Sequence, residues 1–116
     1  MLEMKDREQL NMITKEIVDK VVRLLQDDVY KIVLFGSYAK GTFTRESDID
    51  IMILLNCDKD KVLQYRKTIS RLSSRLGLEN DIEISLLLRD RKTFEDGKDI
   101  LPFYKNIKEE GITLYE

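Results

Sequence analysis

The 116-residue sequence contains no histidine. That absence removes Ser-His-Asp and Cys-His nucleophilic chemistry, and the usual zinc sites, in one step. A single cysteine, Cys57, excludes an internal disulfide and reads as an ordinary thiol at a strand end, suited to a reducing cytoplasm. The one proline, Pro102, leaves no proline-rich linker, and there is no repeat or low-complexity stretch. No apolar run approaches the roughly 20 residues of a membrane span. The stretch MLEMKDREQL at the start is charged and lacks the apolar segment of a signal peptide. An excess of one charge is missing too. Lys and Arg number 20 against 22 for Asp and Glu, and a net of −2 argues against a nucleic-acid binder working by bulk electrostatics. What remains, 42% hydrophobic and 36% charged, fits one globular, cytoplasmic domain over 1–116 with its own core. Without histidine, carboxylates must carry the chemistry, and hard cations are what they hold best.

Residues 32–55, IVLFGSYAKGTFTRESDIDIMILL, carry the strongest signal. A hydrophobic run ends in Gly36-Ser37, ten residues intervene, and Asp48-x-Asp50 opens a second run. Gly36 lets the backbone turn tightly and come close to a ligand. Ser37 offers a hydroxyl and an N–H where a short helix is expected to begin, a place that favours anions. Side chains alternate along a strand, so Asp48 and Asp50 leave the same face. Phosphate-binding backbone facing paired carboxylates suits Mg²⁺-dependent phosphoryl or nucleotidyl transfer. The segment is not a P-loop. Gly36 and Gly41 have the spacing, but Thr42-Phe43 follow where Lys-Ser/Thr is required, and Lys40 precedes the second glycine. Nor does it suit an aspartyl-phosphate phosphatase, whose hydrophobic strand precedes the aspartates; here IMILL follows them.

Hydrophobic periodicity predicts a first helix over about 4–27, with Leu10, Ile13, Ile17, Val21 and Leu24 inward. A buried strand over Tyr30–Phe35, one helical turn at 37–41, a polar loop at 42–47 and a strand over Asp48–Leu55 follow. A second helix over about 59–76 turns Val62, Tyr65, Ile69, Leu72 and Leu76 inward, with Gly77 as its cap. The third strand, Asp81–Leu88, places Asp81, Glu83 and Ser85 on one face and Ile82, Ile84 and Leu86 on the other. An acidic residue between isoleucines on a core strand costs free energy unless paired or ligated. Glu83 is therefore a third metal ligand or an edge residue facing water, and Asp81 is a weaker candidate for the same role. A last helix over about 91–110 carries Ile100, Phe103, Tyr104 and Ile107, Gly111 stops it, and Ile112–Tyr115 forms a closing strand or tail. Phe103, Tyr104 and Tyr115 serve either the core or an interface.

Gly36-Ser37, ten residues and Asp48-x-Asp50 form the defining motif of the DNA polymerase β-like nucleotidyltransferase superfamily. The chain resembles its minimal nucleotidyltransferases, the MNT group, similar to the antitoxin half of HEPN/MNT toxin–antitoxin pairs. The resemblance covers nearly the whole chain, including the tail LPFYKNIKEEGITLYE at 101–116. It implies an α/β fold of the α+β type, a small mixed β-sheet with helices packed on one face. By the resemblance, Asp48 and Asp50 hold two Mg²⁺ ions, one shared with the triphosphate of ATP, while Gly36 and Ser37 cradle the β- and γ-phosphates. A third carboxylate, taken as Glu83, ligates the catalytic metal and helps deprotonate the acceptor hydroxyl; attack on the α-phosphate transfers NMP and releases pyrophosphate. Three close carboxylates repel one another, and divalent cations remove that repulsion. Lys40 and Arg45, flanking the loop, are either partners of the nucleotide's charge or solvated. Ser47 either hydrogen-bonds a carboxylate or metal-bound water, or caps a turn.

So small a chain leaves little surface for a dedicated acceptor pocket, which points to a partner protein as the source of the hydroxyl. The resemblance makes that partner a helical HEPN-type toxin modified on tyrosine. The alternative is a nucleotidyltransferase-fold module with a weak or relict site that acts by binding. Transfer to a small molecule such as an aminoglycoside is disfavoured, since no acidic groove for a polycation is evident. Membrane and direct nucleic-acid partners are not expected.

Overall fold

A computed structural model describes residues 4–44 and 46–116. Helix α1 (Met4–Leu25) passes through a short 3₁₀ turn (Gln26–Asp28) into β1 (Val29–Phe35), a one-turn helix α2 (Ser37–Lys40) and β2 (Ile49–Leu55). Then follow α3 (Lys59–Asn80), β3 (Ile84–Asp90), α4 (Arg91–Gly97), α5 (Pro102–Glu110) and β4 (Ile112–Tyr115). The strands form one mixed sheet in the order β3-β2-β1-β4. β1 is antiparallel to both β2 and β4, and β2 is parallel to β3, a pairing that requires the α3 crossover.

Alternation along β2 sorts its side chains between two apolar clusters. Ile49, Ile51, Ile53 and Leu55 meet the long helices through Ile13, Ile17, Val21, Val62, Ile69 and Leu76. Met52 and Leu54 face the other way and pack with Val33, Phe94 and Ile107. The two long helices thus cover one face, but the helices are not confined to it as the resemblance implied, since Phe94 of α4 and Ile107 of α5 close part of the second. Burial on both sides explains why IMILL reads as a continuous apolar run rather than an alternating one.

Four details depart from the sequence-based expectation. Leu24 is 49% exposed and Leu25 only 3%, because the inward stripe follows strict steps of four from Ile13 and reaches residue 25. Helix α3 does not stop at Gly77. It runs on to Asn80, and Asp81 ends it in the left-handed conformation (φ 51°, ψ 44°), which aspartate tolerates better than most residues. Gly77 serves a different purpose, since a Cβ there would lie 2.9 Å from the carbonyl oxygen of Ile82 as the chain returns. Strand β3 accordingly begins at Ile84 rather than Asp81, so Asp81 and Glu83 both lie ahead of it. The segment 91–110 is two helices rather than one. Pro102 begins α5 and holds Leu101 extended (φ −84°, ψ 124°), so the break falls before it. Ile100 is exposed in that break.

Polar ties hold the sheet end remote from the motif loop. The Tyr65 hydroxyl donates to Asp28 Oδ2 at 2.5 Å, and Lys61 Nζ pairs with the same oxygen at 2.8 Å. These partners hold the Asp28 carboxyl below its ordinary range. Asp90 caps α4, accepting from the Thr93 amide at 3.0 Å and the Thr93 hydroxyl at 2.8 Å. Burial acts to raise the Asp90 carboxyl, but the Thr93 bonds outweigh it and the net displacement is downward. A depressed folded-state value means that the stabilisation is present above the unfolded value and disappears as pH falls through the folded one. Asp90→Ala is expected to cost about 1 kcal/mol at pH 7. Urea denaturation should show this difference shrinking as the pH is lowered below 4.

Candidate active site

The motif loop is built on the ends of β1 and β2. The last pair of their ladder is Phe35 with Asp50, and the chain then turns at Gly36 (φ 76°, ψ −156°), a conformation side chains resist. A Cβ at Gly36 would lie 2.5 Å from Asp50 Oδ2, so the glycine backbone and the carboxylate occupy adjoining space that no other residue permits. The carbonyl of Gly36 accepts from the amides of Ala39 and Lys40, each at 3.2 Å, and this starts α2 at Ser37. Gly41, also at φ 76°, ends it.

Two local devices bring the chain back to Asp48. Tyr38 and Phe43 stack with centroids 4.5 Å apart and planes 16° from parallel. Ser47 closes a turn, donating its amide to the Thr44 carbonyl (3.1 Å) and accepting the Thr44 amide on its hydroxyl (2.9 Å). Ser47 is therefore engaged as a turn cap. The aromatic stack is a positioning feature not anticipated above; its signal was the pair of rings on either side of Gly41. Arg45 lies outside the described residues. Lys40 forms an ion pair with Glu110 at 3.3 Å, linking α2 to the end of α5.

β3 brings the third carboxylate. Asp50 is in register with Ser85 and Ile49 with Ile84, and the Ile49 amide donates to the Glu83 carbonyl at 3.0 Å. Asp48 and Glu83 each precede the registered pair Ile49–Ile84 by one residue, just ahead of the two strands. Ser85 and Leu87 share the face of Asp50 and Met52, and Glu83 lies two residues before Ser85. No slip has turned it into the core. Asp48 and Glu83 are exposed and Asp50 is half-buried. Burial, reinforced by the charges of Asp48 and then Glu83, raises the Asp50 carboxyl above its ordinary value. The three carboxylates therefore act on one another electrostatically, although no three acidic or cysteine side chains among the described residues converge on a common point. Asp81 ends α3 and lines one cavity together with Glu83.

A small mixed sheet with a Gly-Ser turn abutting Asp50, and Asp48 just ahead of the same strand, defines the class. A family model described as nucleotidyltransferase domain matches residues 14–114, and the chain belongs to that family of transferases. A Methanocaldococcus jannaschii protein named "Putative protein adenylyltransferase MJ0604" is 36% identical over 101 residues, 87% of this chain and 93% of that protein. The Shewanella oneidensis protein adenylyltransferase MntA is 36% identical over 69 residues, 57% of this chain and 48% of MntA. A Sulfolobus solfataricus crystal structure described as a nucleotidyltransferase superposes with a TM-score of 0.66 at 20% identity, covering 100% of this chain and 90% of that one. A toxin–antitoxin crystal structure with AMP-PNP gives 0.53 at 24% identity, over 86% and 71% of the respective chains. These structures establish a shared fold.

The Asp50 environment has a consequence for the metal-free protein. A folded-state value above the unfolded one means that the associated stabilisation is complete below the unfolded value and is lost as pH rises through the folded one. Ionised Asp50 thus weakens the free protein at neutral pH. Asp50→Asn should raise its melting temperature at pH 7 by roughly 1–3 °C, the scale for a partly exposed group in a domain of this size. The gain should shrink as the pH is lowered through the ordinary carboxylate range, where the wild-type carboxyl takes up its proton.

Proposed function

We propose that this protein is a Mg²⁺-dependent protein adenylyltransferase, transferring AMP from ATP to a hydroxyl of a helical, HEPN-type partner for which it serves as antitoxin. The observation that carries the reading is Asp50 set against the Gly36 turn at the start of β2, with the charges of Asp48 and Glu83 acting on it. The donor set fits a hard divalent cation, being all carboxylate oxygen, and the mutual repulsion that raises Asp50 is what such a cation relieves. Asp48, Asp50 and Glu83 would hold two Mg²⁺ ions, which when bound stabilise negative charge on the reacting phosphate.

The chain's own groups do the rest. Gly36 and Ser37 bring backbone close to the β- and γ-phosphates, since no side chain intervenes at 36. Glu83, exposed at the sheet edge, accepts the proton of the incoming hydroxyl. The oxygen then forms its bond to the α-phosphorus as the bond to pyrophosphate breaks. Lys40 stands at the end of α2, where it trades its Glu110 pair for the triphosphate charge. An open face with Asp48 and Glu83 exposed suits an acceptor carried on another protein. The name of the M. jannaschii relative, and the toxin–antitoxin context of MntA-like structures, support the same choice of acceptor.

Calorimetry is expected to show ATP binding that requires Mg²⁺ in the wild type and is absent in Asp48→Ala/Asp50→Ala. Glu83→Gln should retain nucleotide binding but transfer AMP about 10²–10⁴-fold more slowly, the usual range for loss of a general base. No Mg²⁺-dependent binding by the wild type would sink the enzymatic reading for the isolated chain. The separation of the three carboxylates favours one other reading, a module that neutralises its partner by contact alone. In that case the double alanine variant would still neutralise.

A further inference from the structure

A cavity of about 270 Å³ opens at the outer edge of β3, between α3 and the Tyr104 side of the fold. Buried Val62 and Leu88 and exposed Leu63 are its apolar lining, and Lys59, Arg66 and Arg89 line it with Tyr104. Asp50 is in register with Ser85, so Arg89, four residues further along β3, lies about 13 Å from the level of the carboxylates at 3.3 Å per residue.

The charge here is unbalanced. Asp90 is the one carboxylate lining the cavity; it is bonded by Thr93 and its charge acts on Lys59, which leaves the two arginines without an anionic partner. Arg89 is held in place, its Nε donating to the Tyr104 hydroxyl at 3.1 Å and one terminal nitrogen to the Leu88 carbonyl at 2.8 Å. That leaves donors of its five unused. Among the described residues no carboxylate lies in ion-pair range of Arg66 or Arg89. The surrounding helix α3 carries six basic residues and two acidic ones, on a chain whose net charge is −2. Leu63, 54% exposed, sits among these cations.

We propose that this cavity docks a carboxylate side chain of a partner protein, presented next to an apolar residue that covers Leu63. Three features select that occupant. The volume falls below the roughly 300 Å³ at which small-molecule pockets begin. The fork of Arg89 and Arg66 matches a carboxylate. An apolar anchor ringed by charge is the pattern of a protein contact, whereas a phosphate backbone would leave Leu63 uncovered. The proposal rests on the reading that a partner protein supplies the acceptor, and adds where that partner is gripped.

The test uses the full chain, ¹⁵N-labelled, titrated with the capped peptide acetyl-Glu-Leu-Glu-Leu-Glu-amide, its glutamine counterpart and a uridine hexamer. The acidic peptide should shift resonances of Leu63, Arg66, Leu88 and Arg89, and the glutamine peptide should not. Arg66→Glu should weaken the acidic peptide about fivefold, the upper end for one partly exposed ion pair. Lys67→Glu, the same charge change on a residue that does not line the cavity, should leave it within about twofold. Three results overturn the proposal: no shifts at these residues, equal loss in both variants, or tighter binding of the uridine hexamer at the same residues. ATP with Mg²⁺ should bind Arg66→Glu as it binds wild type. Loss of nucleotide binding in both would count against the adenylyltransferase reading, while the peptide shifts alone decide the cavity.

Discussion

The Asp50 carboxylate rests against the backbone of Gly36, in the volume that any other residue at 36 would fill with its Cβ. Much of the site follows from that contact. It requires β1 and β2 to stay paired to their last residues, Phe35 opposite Asp50, so that the turn and the carboxylate arrive together. It also requires the chain to leave β1 with positive φ, which sends residues 37–40 into a single helical turn rather than a hairpin. A phosphate brought to that turn would meet backbone at 36 with the aspartates beside it. Glycine here is a condition for having a site, more than a loop preference.

The sheet's mixed direction completes the arrangement. Antiparallel β1 and β2 place the end of one beside the start of the other, which joins the glycine turn to the aspartates. Parallel β2 and β3 place two strand starts together, which joins the aspartates to Glu83. Residues distant in sequence thus reach one edge through two kinds of pairing. The opposite end is tied by Asp28 with Tyr65 and Lys61, and by Asp90 capping α4. Carboxylates there are satisfied and held low, whereas Asp50 is pushed high by burial and its neighbours. The contrast separates carboxylates that stabilise the fold from one whose charge the fold tolerates at a cost.

Much of this was legible in the sequence, for identifiable reasons. The 36–37 and 48–50 motif, the alternation of β2 and the long periodic helices are local patterns, and local patterns survive translation into structure. Glu83 was legible as an acidic residue out of place between isoleucines, and the structure leaves it exposed just ahead of β3. What was misread depended on tertiary detail. Gly77 looks like a cap until the return of Ile82 shows why a glycine is needed within the helix. Asp81 looks like a strand residue until the left-handed backbone claims it as the end of α3. The break before Pro102 carried a signal that the hydrophobic pattern of 91–110 overrode. Lys40 was visible as a cation, but its Glu110 partner, seventy residues on, was not.

Net charge concealed the layout of the electrostatics. A value of −2 suggests a nearly neutral surface, and on that average a charge-directed encounter has little to act on. The fold instead distributes charge unevenly along one edge. Asp48, Asp50 and Glu83 gather where β2 and β3 begin, and Lys59, Arg66 and Arg89 outnumber Asp90 in the cavity where β3 ends. Fields of that kind act over about a Debye length, 8–10 Å at moderate salt, so an approaching molecule meets the two clusters separately. An acceptor protein with an acidic anchor would be drawn to the basic end and repelled from the bare carboxylates. Cations at the carboxylate end cancel that repulsion, so the same metal ions that prepare the reacting phosphate would also let the acceptor hydroxyl come close. Docking and chemistry would then depend on metal together, though only the second uses it directly.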